Sequence, residues 1–246
     1  MRLLVVNPNT TAAVTAACAE VARSIAAPGT EIVALTGEFG ARIISSRAEN
    51  AIAQHALLTL LARNAAGADA VLLAVSYDTG LLAARELLSI PVVGMTEAGM
   101  IAALLLGARF GVVTFGTPDV YRELIRERGF ESRLAGLVSV ETAATDAYAR
   151  PQAVAERVVA AANRLVDEDR AEAVVLCGAA MAGMAAKLKG DVPVPLVDGI
   201  AAGVPLCEML VRLGTLAPRR GSLVAPSERE TVGLDPALAA LLARRA

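Results

Sequence analysis

Three short polar stretches carry the residue types from which an acid–base site can be built. Ser76-Tyr77-Asp78-Thr79-Gly80 follows an apolar run and sets a hydroxyl, a phenol and a carboxylate side by side. Such groups orient a substrate, stabilise an oxyanion or move a proton. Asp78 and Thr79 equally suit the cap of a helix that starts near Gly80. Asn7-Pro8-Asn9-Thr10 ends another apolar run and opens a helix, so its backbone N–H groups and its Asn and Thr side chains can cradle an anion or an amide. It is also ordinary capping and turn chemistry. Thr114-Phe115-Gly116-Thr117-Pro118 repeats the arrangement with hydroxyls. Two hydroxyl and amide turns suit a small planar substrate with carboxylate or imide oxygens.

Other chemistry is sparse. His55 is the single histidine and has no Cys or His at ligand spacing, so no metal site is expected. No G-x-G-x-x-G follows a strand, and neither G-x-x-x-x-G-K-[ST] nor G-x-S-x-G occurs; dinucleotides, nucleoside triphosphates and serine-hydrolase chemistry lose their usual signatures. Ser45-Ser46-Arg47 reads as the solvated first turn of a helix. Cys18 and Cys207 fall in apolar helical stretches and read as buried small hydrophobes.

The elements that must hold these turns follow from periodicity. Short β-branched runs alternate with longer Ala/Leu/Glu/Arg segments, the pattern of βαβ units and a parallel sheet. Strands are predicted at 3–6, 31–35, 70–75, 91–94, 111–114, 132–139, 173–176 and 194–197. Helices are predicted at 11–26, 50–66, 80–88, 97–106, 119–128, 151–168 and 200–213.

The two halves resemble each other. Residues 70–80 overlay 173–183 without a gap, an offset of 103; 90–94 overlay 194–198 at 104, and 3–10 overlay 110–117 at 107. Three collinear matches imply an α/β chain of two pseudo-symmetric Rossmann-like lobes with parallel sheets, residues 1–97 plus 214–246 and residues 98–213. Ligands of open parallel sheets bind beyond the carboxyl ends of the strands. The loops expected to line a cleft between the lobes are 7–11, 76–80, 114–117 and 178–183, so Gly178 and Ala179 join Asn7, Asn9, Thr10, Thr79, Thr114 and Thr117 as candidate contacts. The tail after Pro218, with Arg219-Arg220 and a loop-like stretch at 221–228, is expected to return to pack on the first lobe.

Composition bounds the partners. The 246 residues are 55% apolar and 20% charged, which excludes a disordered regulator. With 23 Lys+Arg against 25 Asp+Glu and 3% aromatics, neither a nucleic-acid backbone nor its bases find a matching surface. No apolar stretch reaches the ~20 residues a bilayer span needs. Three cysteines and an N-terminus without a secretory h-region point to a reducing cytoplasm. Long Ala-rich helices with apolar positions in excess of one sheet face suggest a homo-oligomer.

Taken together, Leu3-Leu4-Val5-Val6-Asn7-Pro8-Asn9-Thr10, the Asp78-x-Gly80 loop with Ala84-Arg85-Glu86-Leu87 and Ile90-Pro91-Val92-Val93-Gly94, the strand at 111–114 and the stretch at 175–183 resemble the hydantoin racemase branch of the aspartate/glutamate racemase superfamily. The likeness covers nearly the whole chain. It implies a cofactor-free isomerase with two cysteines on opposite sides of a small carboxylate, hydantoin or amide, one thiolate removing the α-proton while the other thiol delivers one. Anchored on Asp78, the first thiol falls at Val75, and the second at Gly178; the offset of 103 pairs the same two positions. Neither can move a proton, so the two-cysteine mechanism is expected to be absent, with Ser76, Tyr77, Asp78 and Cys177 as the remaining proton-transfer candidates. Cys177 lies one residue from the expected thiol, which in a strand turns its side chain to the opposite face. A hydrolase, lyase or decarboxylase on the same scaffold, and a non-catalytic metabolite-binding protein, stay open as alternatives.

Overall fold

Unbroken apolar runs such as Leu3-Leu4-Val5-Val6 and Ala70-Val71-Leu72-Leu73 are what a strand covered on both faces requires. In the computed structural model, which describes residues 1–115, 117–142, 150–214 and 220–244, both runs are strands with every side chain buried. Gly116 of the second hydroxyl turn, and residues 218 and 219 at the start of the tail, lie outside the described residues. The chain divides into two compact units, Met1–Gly94 with Val204–Ala246, and Met95–Gly203.

In the first unit, β1 (Arg2–Asn7), β2 (Glu31–Thr36), β3 (Ala70–Leu73) and β4 (Val92–Gly94) form a parallel sheet in the order β2-β1-β3-β4. The connecting helices are α1 (Ala12–Ile25), α2 (Arg47–Asn64) and α3 (Leu81–Leu87). Leu4, Val6, Val71 and Leu73 pack with Leu57, Leu60 and Leu61 of α2, while Leu3, Val5 and Leu72 point the other way and are equally buried. Helix α2 starts on a capping box in which Ser46 and Glu49 satisfy each other's backbone N–H groups. Its His55 is exposed and meets the Phe39 ring edge-on.

The second unit holds α4 (Met95–Leu106), β5 (Phe110–Thr114), α5 (Pro118–Glu127), β6 (Leu134–Ser139), α6 (Pro151–Asp167), β7 (Ala173–Cys177), the single turn α7 (Met184–Lys187) and β8 (Leu196–Asp198), followed by α8 (Gly199–Arg212). Its sheet is again parallel, in the order β6-β5-β7-β8. Val113, Val174 and Leu176 pack with Val158, Ala162 and Leu165 of α6.

The two sheets repeat register as well as order. Leu3 pairs with Ala70 as Phe110 pairs with Ala173, which reproduces the offsets 107 and 103 read from the sequence. Leu73 pairs with Gly94 as Leu176 pairs with Asp198, an offset of 104 at the second position.

Four local expectations are corrected. β3 ends at Leu73 rather than at residue 75, because the chain turns there: the Ala74 N–H still reaches Val6 (2.8 Å), but that of Asp78 folds back onto the Val75 carbonyl at 3.0 Å. Residues 131–133 form a 3₁₀ turn before β6. β8 is Leu196–Asp198 rather than residues 194–197. Within the first unit, residues 236–243, to which the sequence pattern assigned no element, form a helix, α9 (Pro236–Ala243). Asp235 caps it by accepting from Ala237 and Leu238, and it also pairs with Arg63 of α2 at 2.7 Å; Arg244 closes the segment onto the Leu87 carbonyl at 2.7 Å.

Candidate active site

Parallel strands deliver their polar turns at one edge, and each unit shows what its own edge carries. In the first unit the Asn7-Pro8-Asn9 turn is held by its own amides. Asn7, with no exposed surface, donates from Nδ2 to Asn9 Oδ1 (2.8 Å) and Thr15 Oγ1 (3.0 Å), and its Oδ1 accepts from the Asn9 N–H. Thr36 donates to Thr15 at 2.8 Å, so the network ties β1, α1 and β2 together. The chain after β2 presses on this turn. The Gly37 N–H reaches the Asn7 and Asn9 carbonyls, and any Cβ at Gly37 would overlap the Pro8 carbonyl. Thr10 N–H bonds Ala41 at 3.1 Å and Thr11 Oγ1 donates to Arg42 at 2.7 Å. Thr10 itself is half-buried.

The loop after β3 places Ser76 half-buried and Tyr77, Asp78 and Thr79 buried. Asp78 takes a left-handed backbone (φ 46°), a conformation that is uncommon for a residue with a side chain. The N-cap of α3 is Gly80, which provides no side chain. The Asp78 carboxyl lies over Gly94 at the end of β4, where an added Cβ would overlap the carboxyl carbon. Thr79 donates to Asn50 Oδ1 at 2.6 Å.

In the second unit Thr114 and Cys177 are register partners at the ends of β5 and β7, and both are buried. Strand alternation puts the Cys177 side chain on the face of Val175, which packs against Gly99 of α4, and not on the α6 face of Leu176. The Tyr121 hydroxyl donates to the Cys177 carbonyl at 3.4 Å. Gly178 is extended (φ 167°, ψ 121°), a shape any residue adopts; a Cβ there meets the Met181 methyl at 3.0 Å and Phe115 at 3.8 Å. Ala179 is buried, and Thr117 is exposed at the start of α5.

The two loops share one turn. The Asp78 N–H returns to the Val75 carbonyl at 3.0 Å, and the Met181 N–H to the Gly178 carbonyl at 2.8 Å. Gly80 and Gly183 then open the next helices with φ 68° and 78°. Val75 and Gly178 therefore occupy the same place in the two units, as the sequence offset implied. Sequence reasoning missed a carboxylate. Asp198 accepts from the N–H groups of Gly183, Ile200 (2.8 Å) and Ala201 (3.1 Å), capping α8 and pinning the end of the 178–183 loop. Its register counterpart is Gly94, where the Asp78 carboxyl sits instead. The signal was in the sequence: an Asp at a strand end directly before a helix is cap chemistry. Among the described residues no group of three or more His, Cys, Asp or Glu is placed to hold a metal, and no helix is long and apolar enough to cross a membrane.

A doubled, parallel α/β scaffold whose polar turns gather at the strand ends is the frame of an enzyme that handles a small molecule. The family model for Asp/Glu/hydantoin racemases matches residues 3–207. A hydantoin racemase of Pseudomonas sp. (strain NS671) is 33% identical over 236 residues, covering 95% of either chain. Among solved structures, an allantoin racemase from Klebsiella pneumoniae has a TM-score of 0.90 at 34% identity, covering 98% of both chains. One from Pseudomonas fluorescens has a TM-score of 0.91 at 35% identity, over 95% of this chain and 100% of that one. The chain belongs to the Asp/Glu/hydantoin racemase family.

Proposed function

We propose that this chain is a cofactor-free isomerase that inverts a stereocentre next to a carbonyl in a small carboxylate, hydantoin or amide, and that it does so without the paired thiols of its relatives' family. The family match over 3–207 carries the first part of this reading. The second part rests on Val75 and Gly178, which stand in matching turns at the two positions where the resemblance expects cysteines.

Inversion needs a base to take the hydrogen at the stereocentre, a home for the electron pair on the neighbouring carbonyl oxygen, and an acid to return a proton to the opposite face. Asp78, the carboxylate of the loop after β3, is the base. Ser76 and Tyr77 in the same loop are the donors that steady the enolate oxygen. Cys177 is the thiol remaining beside Gly178; buried on the Val175 face of β7, it needs a shift of the strand end to act as the acid. Asn7, Asn9, Thr10, Thr79, Thr114, Thr117, Gly178 and Ala179 shape and contact the ligand, with Asn7 and Thr79 acting through Asn9 and Asn50. We place the enzyme in the cytoplasm as a homo-oligomer; sparse cysteines suit the first, and exposed Leu105, Leu106 and Leu213 suit the second.

The test is proton exchange in deuterium oxide. Single enantiomers of 5-methylhydantoin and of allantoin, incubated with the protein, are expected to gain deuterium at the stereocentre and lose optical rotation together. Hydrolysis or decarboxylation without exchange would refute the reading.

A further inference from the structure

We infer that Asp198 is a positioning residue for the reaction: its carboxylate clamps the loop at 178–183 to the end of β8 and so keeps Gly178 and Ala179 at a set place. This deepens the proposed function and rests on it for what the loop does to a ligand, though not for the clamp itself.

Three observations carry it. First, Asp198 is 6% exposed, and its two oxygens have separate tasks. Oδ1 accepts from the N–H groups of Ile200 at 2.8 Å and Ala201 at 3.1 Å, which is the cap that any helix start welcomes. Oδ2 accepts from the Gly183 N–H, 15 residues back along the chain, which no helix cap requires. One buried side chain thus joins the start of α8 to the last residue of the loop.

Second, the bond to Gly183 falls where the loop gains from a tie to a strand. Bonds from the Met181 N–H to Gly178 (2.8 Å) and from the Ala182 N–H to Ala179 (3.3 Å) close the loop on itself. They give it a shape but not a place. Met181 and Met184 seat it in the core of the second unit, and thioether chains adapt readily to small shifts. Gly183, left-handed at φ 78°, turns the chain into α7, and Asp198 fixes that turn against β8. Asp198 is also the register partner of Leu176, two residues before Gly178, so both ends of the loop are referred to the same pair of strands.

Third, the repeat shows that the fold does not demand an acid at this strand end. The register counterpart of Asp198 is Gly94, and in the first unit the carboxyl over that point comes from Asp78, on the loop itself. One unit carries its carboxyl on the loop; the other plants it on the strand and grips the loop with it. A carboxylate that accepts from three backbone N–H groups holds structure in place.

The experiment compares the parent with Asp198→Asn and Asp198→Ser. The amide keeps one oxygen for Ile200 and Ala201 but turns its NH₂ to the Gly183 N–H, and a donor cannot accept. Serine keeps a capping oxygen and reaches no further, and it replaces the first variant should that one not fold. Backbone amide exchange at 178–183 is expected to speed up about tenfold or more in either, with β5 and β7 unchanged. In deuterium oxide, inversion of 5-methylhydantoin is expected to fall about tenfold to a hundredfold, as small misplacements do to a reacting geometry. Deuterium gain with retained configuration, for the enantiomer that Asp78 deprotonates, is expected to change less than about threefold. A role confined to folding would lower both alike. Loop exchange equal to that of the parent, or inversion and retention falling together, overturns the inference, as does a Gly183 amide in the parent that exchanges as fast as in an unstructured peptide. A loop loosened by the variants, in a protein whose parent neither exchanges nor inverts, leaves the clamp standing and overturns the proposed function.

Discussion

Replacing Val75 and Gly178 together by cysteine is expected to speed the racemisation proposed for this chain. The fold should tolerate both changes. Val75 is 5% exposed in the core of the first unit, so replacing one of its methyls by a thiol and losing the other costs about 1 kcal/mol. Gly178 is already extended, and the nearest atom to a new Cβ is the mobile Met181 methyl at 3.0 Å, with Phe115 next at 3.8 Å. That crowding costs about 1 kcal/mol, a modest part of the about 5–15 kcal/mol that holds a typical domain. A well-placed acid or base contributes about 10²–10⁴ in rate, so the double variant should gain about a hundredfold or more in loss of optical rotation of L-5-methylhydantoin. Each single variant should gain deuterium exchange with much less inversion, because one thiol can take a proton but cannot return it to the other face. Urea unfolding and thiol titration accompany the kinetics. A folded double variant with two titratable new thiols and no gain in either readout would refute the placement of these positions in the reaction.

Three further outcomes follow from the geometry. Gly94→Ala should cost about 1–3 kcal/mol by urea unfolding, since its Cβ overlaps the buried Asp78 carboxyl; a loss under about 0.5 kcal/mol means the carboxyl moves freely. Burial, and to a lesser degree Glu208, push the Cys207 thiol up to about 12 from an ordinary 9.0. The folded chain therefore keeps that proton where the unfolded chain gives it up, so stability should decline as pH rises above 9.0, less steeply in Cys207→Ala, and iodoacetamide at pH 8 should label Cys207 only after denaturation. The Asp235 carboxyl is held below its ordinary value of 3.8, chiefly by the hydrogen bond from Arg63. Its contribution is full above that value and lost as pH falls through the lowered one, so amide protection in α9 should weaken in acid before that of β1 does; equal loss in both would disprove the pairing.

Much of the fold was legible because parallel sheets write themselves plainly: Leu3-Leu4-Val5-Val6 and Ala173-Val174-Val175-Leu176 can be little else than strands buried on both sides. The racemase scaffold was legible too, and the repeat and the resemblance point to the same two positions, Val75 and Gly178. The helix at Pro236–Ala243 was missed although Asp235-Pro236 is a serviceable start signal. Asp78 over Gly94 was out of reach, because a glycine in a strand does not announce which distant carboxyl needs its space. The Asn9 amide was visible as a polar turn, but which of its edges is spent depends on Asn7 and Thr11 meeting it in three dimensions.

The paired registers also show how the duplicated halves were free to drift apart. From Val6 to its β2 partner Leu35 the chain runs four residues further than from Val113 to its β6 partner Val138. That surplus equals the difference between the crossover helices, 14 residues in α1 and 10 in α5. At about 3.6 residues per turn, four residues lengthen a crossover by roughly one revolution, so its apolar stripe still lands on the sheet and the next strand still enters in register. Length changes of this kind come in whole revolutions: trimming four residues from α1 should leave a foldable protein, while trimming two would roll its greasy side toward water.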